Sequence, residues 1–219
     1  SLVMGFPMPI LLALMVNEIE HEKIKRTFQT ISYAPHFIST VVIVGMITLF
    51  FSPSLGVVNT VLEFFGADSI YFMGDPKYFR HLYVWSGVWQ DMGWGAIIYL
   101  AALAGVDPSL HEAASIDGAS RLQRIIHINL PCIASTVIIM LILQIGSIAS
   151  VGYEKVYLMQ NDLNMTVSEV ISTYVYKRGL INNNYSFSTA VGLFNNLVNV
   201  FMLLIANAVS RKFSETSLF

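Results

Sequence analysis

The chain has 219 residues, 55% of them hydrophobic and only 12% charged, against about 25% charged in an ordinary soluble domain. That composition excludes a soluble globule, and a net charge of −2 excludes the basic footprint that nucleic acid requires. A single cysteine, Cys132, excludes an internal disulfide. The charges cluster, leaving apolar stretches near the ~20 residues that a membrane-spanning helix needs, so an integral membrane protein is expected. Membrane strands alternate in polarity and these stretches do not, which argues for an all-α bundle over a barrel.

In chain order, the first apolar run covers residues 2–16. Pro7 and Pro9 within it suit a helix start or a kink. Ser1 is followed by no basic segment of the kind that opens a signal peptide. The chain is therefore expected to begin partway into a longer protein, with at least one span upstream. Residues 17–32 are polar, with Glu18, Glu20, Glu22, Lys23, Lys25 and Arg26. A second apolar run covers 37–51, after Ala34-Pro35. Residues 52–80 are broken by Pro53, Gly56, Gly66, Gly74 and Pro76 and read as an extramembrane loop with a short helix or two.

A third run, 82–106, holds one charge, Asp91. A polar island follows at 107–131, then a fourth run at 133–151. Residues 152–185 are polar again, and the fifth run, 187–209, carries Asn195, Asn196, Asn199 and Asn207 before Arg211-Lys212. Five spans are thus expected, in a single domain without internal repeats. They place 17–32, 107–131 and the tail on one side, with seven basic residues, and 52–80 and 152–185 on the other, with five. The positive-inside rule assigns the first side to the cytoplasm.

The island has its own helical grammar. Asp107-Pro108 reads as a cap followed by proline at the first helical position. The short helix then carries Leu110, Ala113 and Ala114 on one side and His111, Glu112 and Ser115 on the other, until Asp117-Gly118 interrupts it. Leu122, Ile125, Ile126 and Leu130 form the apolar stripe of a second helix, which Pro131 is expected to end. Two short amphipathic helices joined by a glycine bend should lie across the membrane face. A helix that only rests on lipid favours Lys or Arg with Trp or Phe, whereas this one presents Glu, Ala and Ser.

Glu112-Ala113-Ala114, Gly118, and Ile128-Asn129-Leu130-Pro131 at this spacing resemble the EAA loop of binding-protein-dependent ABC importer permeases. Asp117-Gly118-Ala119 and Arg124 resemble its carbohydrate branch. The resemblance implies a polytopic helical bundle of the MetI/maltose-permease type with a cytoplasmic two-helix coupling loop. It also implies that Glu112, Ala113, Ala114, Asp117, Gly118, Arg124, Leu130 and Pro131 dock into an ATPase subunit. Glu112 can pair with a basic residue of that partner, the alanines permit close approach, and Gly118 permits the bend. The chain contains no Gly-x-x-x-x-Gly-Lys-Ser/Thr loop. It is therefore expected to bind no cofactor and not to be an enzyme, with ATP and Mg held by partner ATPase subunits. The implied partners are a second permease subunit, two ATPase subunits, an extracytoplasmic solute-binding protein and membrane lipid. The implied location is the bacterial cytoplasmic membrane, crossed several times.

For the solute pathway, Asp91 is the leading residue, because a charge inside a span should face the bundle interior or a water-filled cavity. Gly87, Gln90, Asp91 and Trp94 share one helix face, and an amide, a carboxylate and an indole there suit a sugar. The alternative is that Asp91 pairs with a residue of a neighbouring subunit. Gln144, Ser147, Ser150 and Gly152 form a second patch that equally suits close helix packing. Asn195 and Asn199, at i and i+4, are further candidates, while Asn residues within spans also bond between helices. Trp85, Trp89 and Tyr99 fit an interfacial belt or the core as well as a path. The histidines His21, His36, His81, His111 and His127 lack metal-ligand spacing and read as interfacial or loop residues. The rival readings are a same-class permease for a non-sugar solute and a membrane enzyme using Asp91.

Overall fold

The computed structural model describes residues 2–213, and every regular element among them is helical. After a short turn at Leu2–Gly5, the principal helices are α1 (Pro7–Asn17), α2 (Glu22–Tyr33), α3 (Thr40–Phe50), α4 (Val57–Phe64), α5 (Pro76–Ala104) and α6 (Pro108–Ile116). They continue as α7 (Arg121–Cys132), α8 (Ala134–Ile145), α9 (Tyr153–Met159), α10 (Ile171–Tyr176) and α11 (Tyr185–Phe213). Pro7 opens α1, where a missing N–H costs nothing. The long α5 starts at Pro76 with Asp75 Oδ1 accepting from the Lys77 N–H at 2.9 Å. The same Asp-Pro device opens α6.

The spans are less regular than five unbroken runs. Among the described residues, one helix, Tyr185–Lys212, is long and apolar enough to cross a membrane alone, and three further candidates are bent helix pairs. Leu2–Asn17 is a shorter apolar helix. The run 37–51 yields only the 11 residues of α3, about 16 Å of helix. The chain before α3 turns through a 3₁₀ segment at Ala34–Phe37, and Ser39 caps the new helix by accepting from the Val42 N–H. The run 133–151 likewise yields the 12 residues of α8 and stops at Ile145. There Gly146 sits so close to Leu203 that a Cβ would overlap its side chain.

Pro131 does not end α7. The helix passes through it and bends at Ile133, 62° away from α8. A π-helical turn at Ile125–Asn129 precedes the proline, with the Leu130 N–H bonded to the Ile125 carbonyl. Widening the ladder by one residue is a way to relieve the clash of a proline ring with the carbonyl four residues back.

The chain divides into two compact units, each built from segments that alternate along the sequence. One gathers Val88–Ile148 with the segment ending at His36 and the part beginning at Asn199. Its core joins Ile10, Ala13 and Leu14 of α1, Ala96, Tyr99 and Leu103 of α5, and Ile133. Gly93 lets α5 approach α2, since a Cβ there would overlap the Ser32 carbonyl. The other unit gathers Phe37–Gly87 and Ala149–Val198. Its core joins Ile43, Val44 and Ile47 of α3, Met73, Phe79 and Leu82, and Val156 and Met159 of α9.

The second unit is stapled by buried asparagines. Asn59, 1% exposed, donates to the Ser52 and Ile70 carbonyls at 3.0 Å each and accepts from the Ile70 N–H at 2.8 Å. Asn164, fully buried, donates to the Met73 and Met159 carbonyls and accepts from Ser168 Oγ and the Asn161 N–H. A lysine completes the set: Lys177 Nζ lies 2.6 Å from Gln160 Oε1 and 3.0 Å from Glu169 Oε2. These polar loops are thus folded structure.

Candidate functional site

Two places gather the residues singled out by the sequence, both within the first unit. The island 107–131 forms α6 and α7. Asp107 Oδ1 accepts from the Ser109 N–H at 2.9 Å, with Pro108 at the helix start. That backbone N–H, followed by the Ser109 hydroxyl, holds the Asp107 carboxyl below the usual carboxylate range. The helix closes in a Schellman motif: the Ala119 N–H bonds to the Ala114 carbonyl and the Gly118 N–H to the Ser115 carbonyl. Gly118 takes φ +76°, which side-chain-bearing residues rarely adopt, and nothing crowds its Cβ position. The second helix starts with a capping box, in which Ser120 Oγ accepts from the Gln123 N–H and Gln123 Oε1 accepts from the Ser120 N–H.

This segment is anchored by Ile125 and Leu130, which pack against the core of the first unit, and by two polar contacts. Arg121 Nη2 lies 2.6 Å from Glu20 Oε1, and Asn129 Nδ2 lies 3.5 Å from Glu18 Oε1. Away from those anchors, Ile116 is 87% exposed and Leu122 65% exposed. Glu112 and Ala113 are also exposed, Ala114 is partly so, and Glu112 makes no ion pair with the described residues. Asp117 and Gly118 stand exposed at the bend, whereas Leu130 is partly covered. Arg124 Nε and Asn129 Oδ1 are buried without a partner among the described residues. Apolar side chains this exposed, beside uncommitted polar ones, are what a docking face presents.

The second place surrounds Asp91. With Gly5, Phe6, Pro9, Gly95, Tyr99, Met140, Leu143, Gln144 and Ser147 it lines a cavity of about 360 Å³. Three predicted pathway residues, Asp91, Gln144 and Ser147, therefore meet. Asp91 has a partner in its own chain: His36 Nδ1 lies 3.0 Å from its Oδ1, a pairing of the kind that the alternative reading sought in a neighbouring subunit. The His36 ring in turn stacks on Trp94, centroids 4.6 Å apart and planes 4° from parallel. His36 belongs to the 3₁₀ turn before α3 and was not legible as a site residue. Its partner is 55 positions away, and only the Pro35 break beside an apolar run hinted at a side chain turned inward.

The other candidates separate. Gln90 does not line the cavity. Gly87, Ser150 and Gly152 fall in the second unit, where a Cβ on Gly87 would meet Lys155 Nζ at 3.6 Å. Asn195 lines a different cavity in that unit, its Nδ2 donating to the Ala149 carbonyl at 3.4 Å, and Asn199 is 9% exposed. Trp85 and Trp89 are both more than 40% exposed, as an interfacial belt or a lipid-facing surface would leave them.

Apolar helices, an exposed capped segment and an open recess that holds Asp91, Gln144 and Ser147 are features a membrane transport subunit would present. The comparisons make the class specific. Residues 5–215 match the family model described as the binding-protein-dependent transport system inner membrane component. The protein LplB of Bacillus subtilis (strain 168) is 44% identical over all 219 residues, which cover 69% of its length. The polygalacturonan/rhamnogalacturonan transport system permease protein YteP of the same organism is 42% identical over the whole chain, covering 68% of that protein. The fold superposes with TM-score 0.96 on a chain from the crystal structure of a bacterial alginate ABC transporter in complex with an alginate pentasaccharide-bound periplasmic protein. Identity there is 44%, covering all of this chain and 76% of that one. This chain belongs to the family of binding-protein-dependent transport system inner membrane components. It is a membrane permease subunit of the ABC importer class with the MetI-type helical fold, and not an enzyme.

Proposed function

We propose that the chain serves as one permease domain, residues 1–219, of an ATP-driven importer that brings a sugar or oligosaccharide into the bacterial cytoplasm by alternating access. The exposed segment 107–131 carries this reading. It offers Glu112, Ala113, Ala114 and the Gly118 bend as a preformed face for a cytoplasmic ATPase subunit, with Ile116 and Leu122 uncovered beside them. ATP and Mg belong to two such ATPase subunits, and this chain binds no cofactor of its own. A second permease subunit and an extracytoplasmic binding protein complete the transporter, in the cytoplasmic membrane. Closure of the ATPase pair pushes on α6 and α7, and the Schellman bend transmits the push to the spans on either side. Loops 52–80 and 152–185 then face the binding protein.

A sugar is supported by chemistry and by kinship. Asp91, Gln144 and Ser147 set hydrogen-bonding groups around a recess walled by Phe6 and Tyr99, and His36 on Trp94 fixes the orientation of Asp91. YteP is named for polygalacturonan and rhamnogalacturonan. An arabinooligosaccharide permease, AraP of Bacillus subtilis (strain 168), is 27% identical over 98% of this chain. The test is ATP hydrolysis by the purified complex with its binding protein, measured against a panel of plant and algal oligosaccharides. Stimulation by one of them is expected; stimulation only by a peptide or polyamine overturns the sugar reading. Asp91→Ala should lower solute-dependent uptake while the complex is recovered intact, and loss of the complex would make Asp91 an assembly residue.

A further inference from the structure

The second unit holds a larger cavity, about 490 Å³, between α9, α10, the π-helical turn Lys177–Ile181 and the start of α11. That is within the range of small-ligand sites. Its inner wall is committed to structure. Ser172 Oγ donates to the Val151 carbonyl at 2.8 Å, Ser188 Oγ to the Val175 carbonyl at 3.0 Å, and Thr189 Oγ1 to the Tyr185 carbonyl at 2.9 Å. Gly179, in the π turn, packs against Ser188 so tightly that a Cβ would overlap the hydroxyl. Single π turns inside helices recur at functional sites. A wall so tied is formed before any ligand arrives.

The remaining groups on the cavity are uncommitted. Tyr153 and Tyr176 stack with centroids 5.0 Å apart. Neither of their hydroxyls, nor the Asn196 amide, bonds to a described residue. Asn195 spends one donor on the Ala149 carbonyl and keeps its carbonyl oxygen. The lining includes no Asp, Glu, Lys, Arg or His. An ionic ligand would find no counter-charge here, and an acyl chain would leave four hydrogen-bonding groups without use. A pyranose ring uses both kinds of surface, its C–H face on the tyrosine rings and its hydroxyls on the amides.

We propose that this cavity is a second glycan subsite, holding one sugar ring between Tyr153, Tyr176, Asn195 and Asn196 in addition to the Asp91 recess. It rests on the sugar-import reading above and deepens it. The test uses the whole transporter in proteoliposomes and the radiolabelled oligosaccharide that stimulates its ATPase. Tyr153→Ala and Asn196→Ala should each raise the half-saturating concentration about tenfold, the worth of one good contact, while Tyr153→Phe, keeping the ring, stays within about threefold. In parallel, saturation transfer from protein to sugar-ring protons, recorded without binding protein, should weaken in Asn196→Ala and persist in Asp91→Asn. Unchanged half-saturation in both alanine variants overturns the subsite. So does a co-purifying phospholipid that the variants lose while sugar saturation transfer stays the same. If the wild-type transporter imports no oligosaccharide, the sugar reading itself falls; if it imports one and the variants do so equally well, only the subsite falls.

Discussion

The asparagine network of the second unit and the segment 107–131 of the first treat their polar groups in opposite ways. In the second unit, Asn59 and Asn164 are buried and hydrogen-bonded and Lys177 bonds to Glu169 at the surface, so that chain between the helices is tied down. In the first, Glu112 stands exposed without an ion pair among the described residues, Ile116 is 87% exposed, and two buried polar atoms, Arg124 Nε and Asn129 Oδ1, lack partners. Buried polar groups in native proteins are nearly always satisfied. A saturated network therefore marks architecture, and a cluster of exposed or orphaned groups marks a place waiting for another molecule. If that division holds, damage to the buried asparagine network should cost stability, and damage to the docking segment should cost coupling.

The largest effect is expected at Gly118. Its φ of +76° would cost a β-branched residue about 1–3 kcal/mol, and the Schellman bend would open rather than accept it. Gly118→Val should reduce solute-stimulated ATP hydrolysis at least about tenfold, while the complex melts within a few degrees of wild type. Gly118→Asn, which tolerates this conformation better, should fall between. A Val variant with normal stimulation would remove the bend from the coupling mechanism.

Asn164→Leu probes the opposite arm. The substitution leaves the Met159 carbonyl, the Asn161 N–H and the Ser168 hydroxyl each short of a partner, at roughly 1–3 kcal/mol per orphaned group. Thermal unfolding of the purified complex should drop by several degrees. The protein that remains folded should still couple ATP to transport. A loss of coupling without loss of stability would erase the distinction between the units.

The legibility of the chain follows the same line. The island could be read because its signals are local: Asp107-Pro108 starts a helix, Gly118 takes the positive φ, and the stripe Leu122, Ile125, Ile126 keeps one face apolar. Ser120 and Gln123 carried a capping-box spacing in the same stretch, equally local. The spans were harder. Residues 37–51 and 133–151 are apolar throughout, and hydropathy cannot show that helix ends at Ser39 or Ile145, because a cap and a close approach to Leu203 set those ends. The partners of Asp91 and Asn164, His36 and Met73, lie 55 and 91 residues away, and no pattern in one sequence announces such pairs. Asp91, Gln144 and Ser147 were found one by one from chemistry, but only the fold brings them to one cavity.

The smallest effect is the most specific to the docking segment. Asp107 is fully exposed, and the Ser109 backbone N–H lowers its carboxyl from the ordinary 3.8. A carboxyl depressed in the folded state binds protons less readily there than in the unfolded chain. Its contribution is complete above the ordinary value and is lost as pH falls through the lowered one. The protection factor at the first turn of α6, exchange taken relative to an unstructured peptide at the same pH, should thus hold from neutral pH down to about 4 and fall below it. Asp107→Asn keeps a capping oxygen that does not titrate, so its protection should be flat across that window. Asp107→Ala should show low protection at every pH, and high salt should change neither variant. If the wild type lost no protection at low pH, the cap would be geometric only, and the charge would contribute nothing to holding Glu112, Ala113 and Ala114 in helical form.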